Sequence, residues 1–370
     1  MENQLTTQAA PKTVKTPEPV IDETRLLDFV HKAVGEVGAA MSAALVLIGD
    51  KLGLYRALAQ SGPLTSTELA RLTSTAERYV REWLANQAAG GFLTYDAATQ
   101  KFTLPAEQAY CLATESSPFN LQGAFGIIEA VFHAQERALE NFRTGGGHEW
   151  GHHHPCLFSG TERFFRAAYI GNLVSAWLPA LEGIKEKLER GIKVADVGCG
   201  FGASTILMAQ AFPNSTFVGF DYHEGSVKAA RERAAKAGLE RVRFETARST
   251  DFPGKDYGLV CTFDCLHDME DPAGAARHIA STLVKGGTWM IVEPLAGDKV
   301  EQNLNPVSRV YYAASTCICV PHSLSAHGPA LGAQAGEERL RDVIVQQGGF
   351  GRLRRATETP FNMVLEARLD

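Results

Sequence analysis

The chain lacks any uninterrupted run of about eighteen apolar residues, the length a membrane-spanning helix needs. Its most apolar early stretch, Ala39 to Ile48, is shorter and is flanked by acids, so no membrane is expected as a partner. Positive charge is not in excess either. The 370 residues carry 36 Lys and Arg against 42 Asp and Glu, a net charge of −6, which removes the electrostatic ground for binding nucleic acid. No disulfide framework can be read from seven cysteines, an odd number without regular spacing, so reduced thiols and a cytoplasmic location are expected. Met1 to Pro19 has neither the charged start nor the apolar core of a secretion signal. Its prolines and small polar residues read as a disordered tail over residues 1–20. What remains is the composition of a soluble globular protein long enough for two domains.

The informative stretch runs from Gly191 to Gly238. Val194 to Val197 is a short β-branched apolar run, the pattern of a buried parallel strand. It leads into Gly198, Gly200 and Gly202, where glycine permits positive φ and close approach of the backbone to a ligand. Apolar residues at helical spacing follow through Phe212, then a second strand, Thr216 to Phe220, ending on Asp221. Strand, glycine turn, helix, strand and acid together hold a nucleoside, the carboxylate accepting the ribose hydroxyls. A pyrophosphate-cradling loop would instead follow G-x-G-x-x-G, and Asp196 before the first glycine would repel a pyrophosphate.

Asp196-x-Gly198-x-Gly200-x-Gly202, with Asp221 about twenty residues on, closely resembles motif I of the class I S-adenosylmethionine-dependent methyltransferases. The resemblance implies an α/β fold, a Rossmann-like seven-stranded and mostly parallel sheet with helices on both faces. It implies S-adenosyl-L-methionine as cofactor, held by Asp196, Gly198, Gly200, Gly202, Asp221 and Tyr222. After the third strand, Val242 to Glu245, the register puts Arg248 and Ser249 where many of these enzymes place an acid against adenine. The fourth strand, Tyr257 to Phe263, delivers Asp264, Cys265, Leu266, His267 and Asp268 to the ligand-facing end of the sheet. Asp264 is expected beside the cofactor. Leu266-His267-Asp268 resembles an element of the small-molecule O-methyltransferases whose histidine is the general base, so His267 and Asp268 are the candidate catalytic residues. The Trp that ends that element is Met269 here.

Ahead of this domain, Asp22 to Leu58 reads as helical throughout, and Ala39 to Ile48, apolar nearly all round, must be covered by this subunit or a second copy. Two further helices, one opened by Thr65 or Ser66 with Glu68 as a capping-box acid, the other Glu77 to Ala89, precede a hairpin ending near Leu104. The pattern is a winged helix. Arg78 and Arg81 are balanced by Glu77 and Glu82, so a regulator binding DNA through this module is the weaker reading. The order of winged helix then methyltransferase domain again resembles the small-molecule O-methyltransferases. It implies a homodimer and a small-molecule substrate methylated on oxygen or sulfur. The expected divisions are 21–115 for the winged-helix dimerisation domain, 116–180 for a helical linker and substrate lid, and 181–370 for the cofactor domain.

The lid contains His148-Glu149-Trp150-Gly151-His152-His153-His154-Pro155-Cys156. Adjacent side chains diverge, so these histidines read as pocket-lining and no metal is expected. His148, His153, Phe164, Tyr169 and, from a later insertion, Tyr312 are the candidate substrate contacts. Cys317-Ile318-Cys319, read as extended backbone with both thiols on one side, leaves a metal- or metalloid-handling protein using Cys156, Cys317 and Cys319 as a third alternative.

Overall fold

The computed structural model describes residues 20–370; the expected disordered tail falls almost wholly outside them. Helix α1, Glu23–Lys51, is capped by Asp22, whose side chain accepts the Arg25 amide. It does not continue to Leu58. Gly53 adopts a left-handed φ of 72° and turns the chain into α2, Leu54–Ser61. Over an 18-residue window α1 is long and apolar enough to cross a membrane, a property that counting uninterrupted apolar runs misses. Its N-terminal two-thirds is largely exposed, Leu27, Phe29, Val34 and Met41 included, and is tied to the rest of the chain by a bidentate pair of Glu36 with Arg309.

Helices α3, Ser66–Thr73, and α4, Glu77–Ala89, complete the N-terminal unit, and Thr65 forms the capping box with Glu68. Strands β1, Thr94–Asp96, and β2, Lys101–Thr103, pair as the wing. Tyr55, Leu58, Leu69, Trp83 and Leu84 fill its core, where the Tyr55 hydroxyl donates to Gln87 at 2.5 Å. Helical segments from Gln122 to Ala180 connect this unit to the sheet. The Gln122–His133 and Cys156–Asn172 helices pack closely because Gly123, Gly126 and Gly160 meet at their crossing; a Cβ on Gly123 would sit 2.3 Å from the Phe164 amide.

The sheet comprises β3 (Lys193–Val197), β4 (Thr216–Asp221), β5 (Val242–Thr246), β6 (Tyr257–Phe263), β7 (Leu283–Pro294), β8 (Arg352–Glu358) and β9 (Asn362–Arg368). Its order is β5-β4-β3-β6-β7-β9-β8, parallel except for the two pairings of β9. The strands are apolar on both faces because helices cover both. The chain's order reverses between β3 and β6, and ligands bind outside the strand ends at such a switch.

Candidate active site

The carboxyl end of β3 opens into the glycine loop. Gly198 has φ 78°, and a Cβ there would meet Cys265 Sγ at 2.7 Å. Gly202 also has φ 78°, and its missing Cβ makes room for the Phe244 ring at 2.6 Å. The loop is held from beneath. Asp196 is fully buried, and one carboxylate oxygen accepts from the Ser204 and Thr205 hydroxyls at 2.6 and 2.5 Å. Burial pushes its pKa up to about 6. From the adjacent strand, Asp221 accepts the Gly200 amide on one oxygen and the His223 amide on the other, both at 2.9 Å. Two oxygens fixed in this way keep lone pairs for a vicinal diol.

Across the switch point, Asp264 ends β6 at a left-handed φ of 51°. Asn362 donates to one of its oxygens at 2.6 Å, while the other is buried without a partner. Burial, then the nearby Glu293 charge, holds this carboxyl well above the usual range. The next turn, Leu266–Asp268, is pinned by Glu293 at the end of β7. One Glu293 oxygen accepts the Leu266 amide at 2.9 Å, and the other faces His267 Nδ1 at 2.6 Å. Burial opposes charge on His267, but Glu293 and then Cys319 outweigh it and hold the imidazole well above its ordinary range.

Between these two walls lies a cavity of about 410 Å³. Gly198, Gly200, Asp221, Tyr222, Arg248, Ser249, Asp264, Asp268 and Tyr169, all singled out from the sequence, line it. Its other side is aromatic: Trp150, Phe158, Phe165 and Phe263. Seven expected site residues are not on the wall. Asp196 and Gly202 support the loop from below and behind. His267, 4% exposed, stands behind Asp264, Cys265 and Asp268 because Glu293 draws its ring inward. His148 and His153 pack on one another with ring centres 4.0 Å apart, leaving Trp150 to face the cavity. Phe164 packs against Phe165 and Phe361, and Tyr312 faces outward while Tyr311 turns in to donate to the Phe361 carbonyl. Arg248 reaches the wall, but its guanidinium is paired with Glu270.

The three cysteines do not converge. Ser315–Cys319 is a π-helical turn, so Cys317 and Cys319 diverge, and Cys156 contacts His154 at 2.9 Å instead. His322 carried no sequence signal. It lines the cavity, stacks on Tyr222 with ring centres 5.7 Å apart, and accepts the Trp150 amide at 3.3 Å.

Residues 188–343 match a family model described as a methyltransferase domain, and residues 40–114 one described as an Rv2258c-like winged HTH domain. The solved structure of mitomycin 7-O-methyltransferase is similar over 93% of this chain and 99% of its own, at 19% identity and a TM-score of 0.67. Human N-acetylserotonin methyltransferase, solved in complex with S-adenosylmethionine, is similar over 95% of this chain and 99% of its own, at 16% identity and a TM-score of 0.66. A ubiquinone biosynthesis O-methyltransferase of Leptothrix cholodnii is 32% identical over 122 residues, 32% of this chain and 47% of that protein. The chain thus spans less than half the length of that curated relative, and 24% and 6% of two others.

Proposed function

We propose that the chain transfers the methyl group of S-adenosylmethionine to a small molecule, at a hydroxyl oxygen, a reading supported by the matches of residues 188–343 to a methyltransferase domain and of residues 40–114 to a winged helix-turn-helix domain. One observation carries this reading. The glycine loop with Asp221 and the Asp264–Asp268 turn open onto a single cavity with an aromatic far side, which offers cofactor and acceptor one shared space. The donor set suits the cofactor: Gly198 and Gly200 offer a backbone cradle, Asp221 an acceptor for the ribose diol, and the acidic wall suits a cationic group. When bound, the cofactor supplies a methyl group on a cationic sulfur, open to in-line displacement. The chain's contribution is then alignment and exclusion of water, with Trp150, Phe158 and Phe165 closing over the acceptor. His267, which Glu293 orients, is the base in its neutral form; the Glu293 and Cys319 charges favour the charged ring, so the acceptor's proton, relayed through Asp268 on the wall, reaches it only after the ring has given up its own. Oxygen is preferred to sulfur because the named relatives include O-methyltransferases.

The N-terminal unit fits a role as lid and dimer module better than one in DNA binding. Arg78 and Arg81 of α4 are paired with Glu82 and Glu77, leaving them little to offer phosphates. The exposed apolar residues of α1, from Leu26 to Met41, call for cover by a second copy of the chain. Free cysteines throughout fit a reducing, cytoplasmic setting.

The test is a panel of phenols, alcohols, thiols and amines assayed for S-adenosylhomocysteine release with wild type and His267→Ala. Turnover on a hydroxyl compound, cut about 100- to 10,000-fold by His267→Ala, is expected for a general base. Full activity of that variant would remove His267 from the mechanism, and turnover confined to amines would overturn the choice of oxygen.

A further inference from the structure

Behind the cavity wall, one ring nitrogen of His267, the Cys319 sulfur and an Asp268 carboxylate oxygen all lie within 4.8 Å of one another. His267 and Cys319 are buried at 4% and 9% exposure, while Asp268 also lines the cavity. Glu293 occupies Nδ1 of the ring at 2.6 Å, so Nε2 is the nitrogen that faces the Cys319 sulfur. A carboxylate behind a ligating imidazole is the usual outer partner of a metal site, since it fixes the tautomer and ring orientation. Cys319 is brought in by the π-helical turn Ser315–Cys319, an irregularity that recurs at functional sites.

We propose that His267, Cys319 and Asp268 form a binding site for a zinc-type divalent cation, with its fourth position open toward the cavity past Asp268. Imidazole, thiolate and carboxylate together suit zinc, whereas magnesium and calcium take oxygen. Zinc bonds of about 2.0–2.3 Å require the three donors to close in by roughly 1 Å, within reach of side-chain rotation. On binding, the Cys319 thiol and the His267 ring nitrogen each give up a proton to solvent, and the ion takes the nitrogen that in its neutral form would accept the substrate's proton. Zinc therefore suppresses methyl transfer. That consequence rests on the role proposed for His267; the binding itself does not.

The experiment titrates metal-stripped, untagged protein with zinc against a chromophoric chelator, without cofactor or substrate. One ion per chain is expected, with affinity about 100-fold weaker in Cys319→Ser and unchanged in Cys317→Ser, since the thiolate is the strongest of the three donors. Equal zinc affinity in wild type and Cys319→Ser overturns the site, as does loss confined to Cys317→Ser. Should Cys319→Ser fail to fold, the cobalt-loaded wild type decides: thiolate-to-cobalt charge-transfer absorption supports the site, and its absence overturns it. Zinc bound through Cys319 with turnover undiminished upholds the site and refutes only the base role of His267.

Discussion

Asp221→Ala tests the nucleoside end of the cavity. The carboxylate has two duties. It accepts the Gly200 and His223 amides at 2.9 Å each, and it is the acceptor assigned to the ribose diol. Losing hydrogen bonds from a charged acceptor to the diol costs about 1.5–3 kcal/mol. At 1.4 kcal/mol per tenfold, that weakens binding of S-adenosylhomocysteine roughly 10- to 150-fold. The loop contributes separately, because alanine leaves two amides without their acceptor, each at about 1–3 kcal/mol if water does not reach them. Calorimetric titration and thermal unfolding on the same samples separate the two. The reasoning expects weaker affinity in protein that is still folded at the assay temperature, together with a lower melting temperature. A lower melting temperature with affinity within threefold of wild type would show that Asp221 only braces the loop, and the ribose assignment would fail.

Gly198→Ala forces a Cβ to 2.7 Å from Cys265 Sγ on a left-handed backbone, so it should lower the melting temperature and weaken S-adenosylhomocysteine binding; Cys265→Ala in the same chain should recover part of the loss. Burial, helped by His148, pushes the His153 imidazole down to about 4. Between its unfolded value near 6.5 and about 4 the unfolded chain binds the extra proton, so stability present above pH 6.5 is lost on acidification, at most roughly 3 kcal/mol from this group. Denaturant titrations across that window should show a shallower acid loss in His153→Leu, and parallel curves would rule His153 out. Leu27→Asp with Val34→Asp puts charge on the exposed apolar side of α1, and sedimentation should change from dimer to monomer; a wild type already monomeric at micromolar concentration contradicts the dimer.

The glycine loop and Asp221 were legible because their chemistry is local. A strand ending in alternate glycines has little choice of backbone, and a carboxylate at the end of the adjacent strand is carried to the same sheet edge by topology. Side-chain direction within the lid was not. Whether Trp150 or His153 faces the cavity depends on His148 stacking beneath and on His322 arriving from 172 residues away. Residues 315–320 are rich in β-branched and Cys residues, yet the Pro306–Ala314 helix runs into them and packing carries the helical path through Cys319. His267 was found by its neighbours in sequence, but its inward turn is the work of Glu293, which the pairing of Phe263 with Val292 brings alongside. The window hydropathy of α1 escapes a count of uninterrupted apolar runs because glycines and a few charged residues interrupt its apolar stretches.

The central claim is that this cavity binds S-adenosylmethionine for methyl transfer. The most direct measurement is calorimetric titration of the wild-type chain with S-adenosylhomocysteine and, in parallel, with NAD. The account predicts saturable one-to-one binding of S-adenosylhomocysteine and none of NAD, whose pyrophosphate would have to lie on a loop backed by Asp196 and Asp221. No heat or saturation with S-adenosylhomocysteine, or tighter binding of NAD, would contradict it.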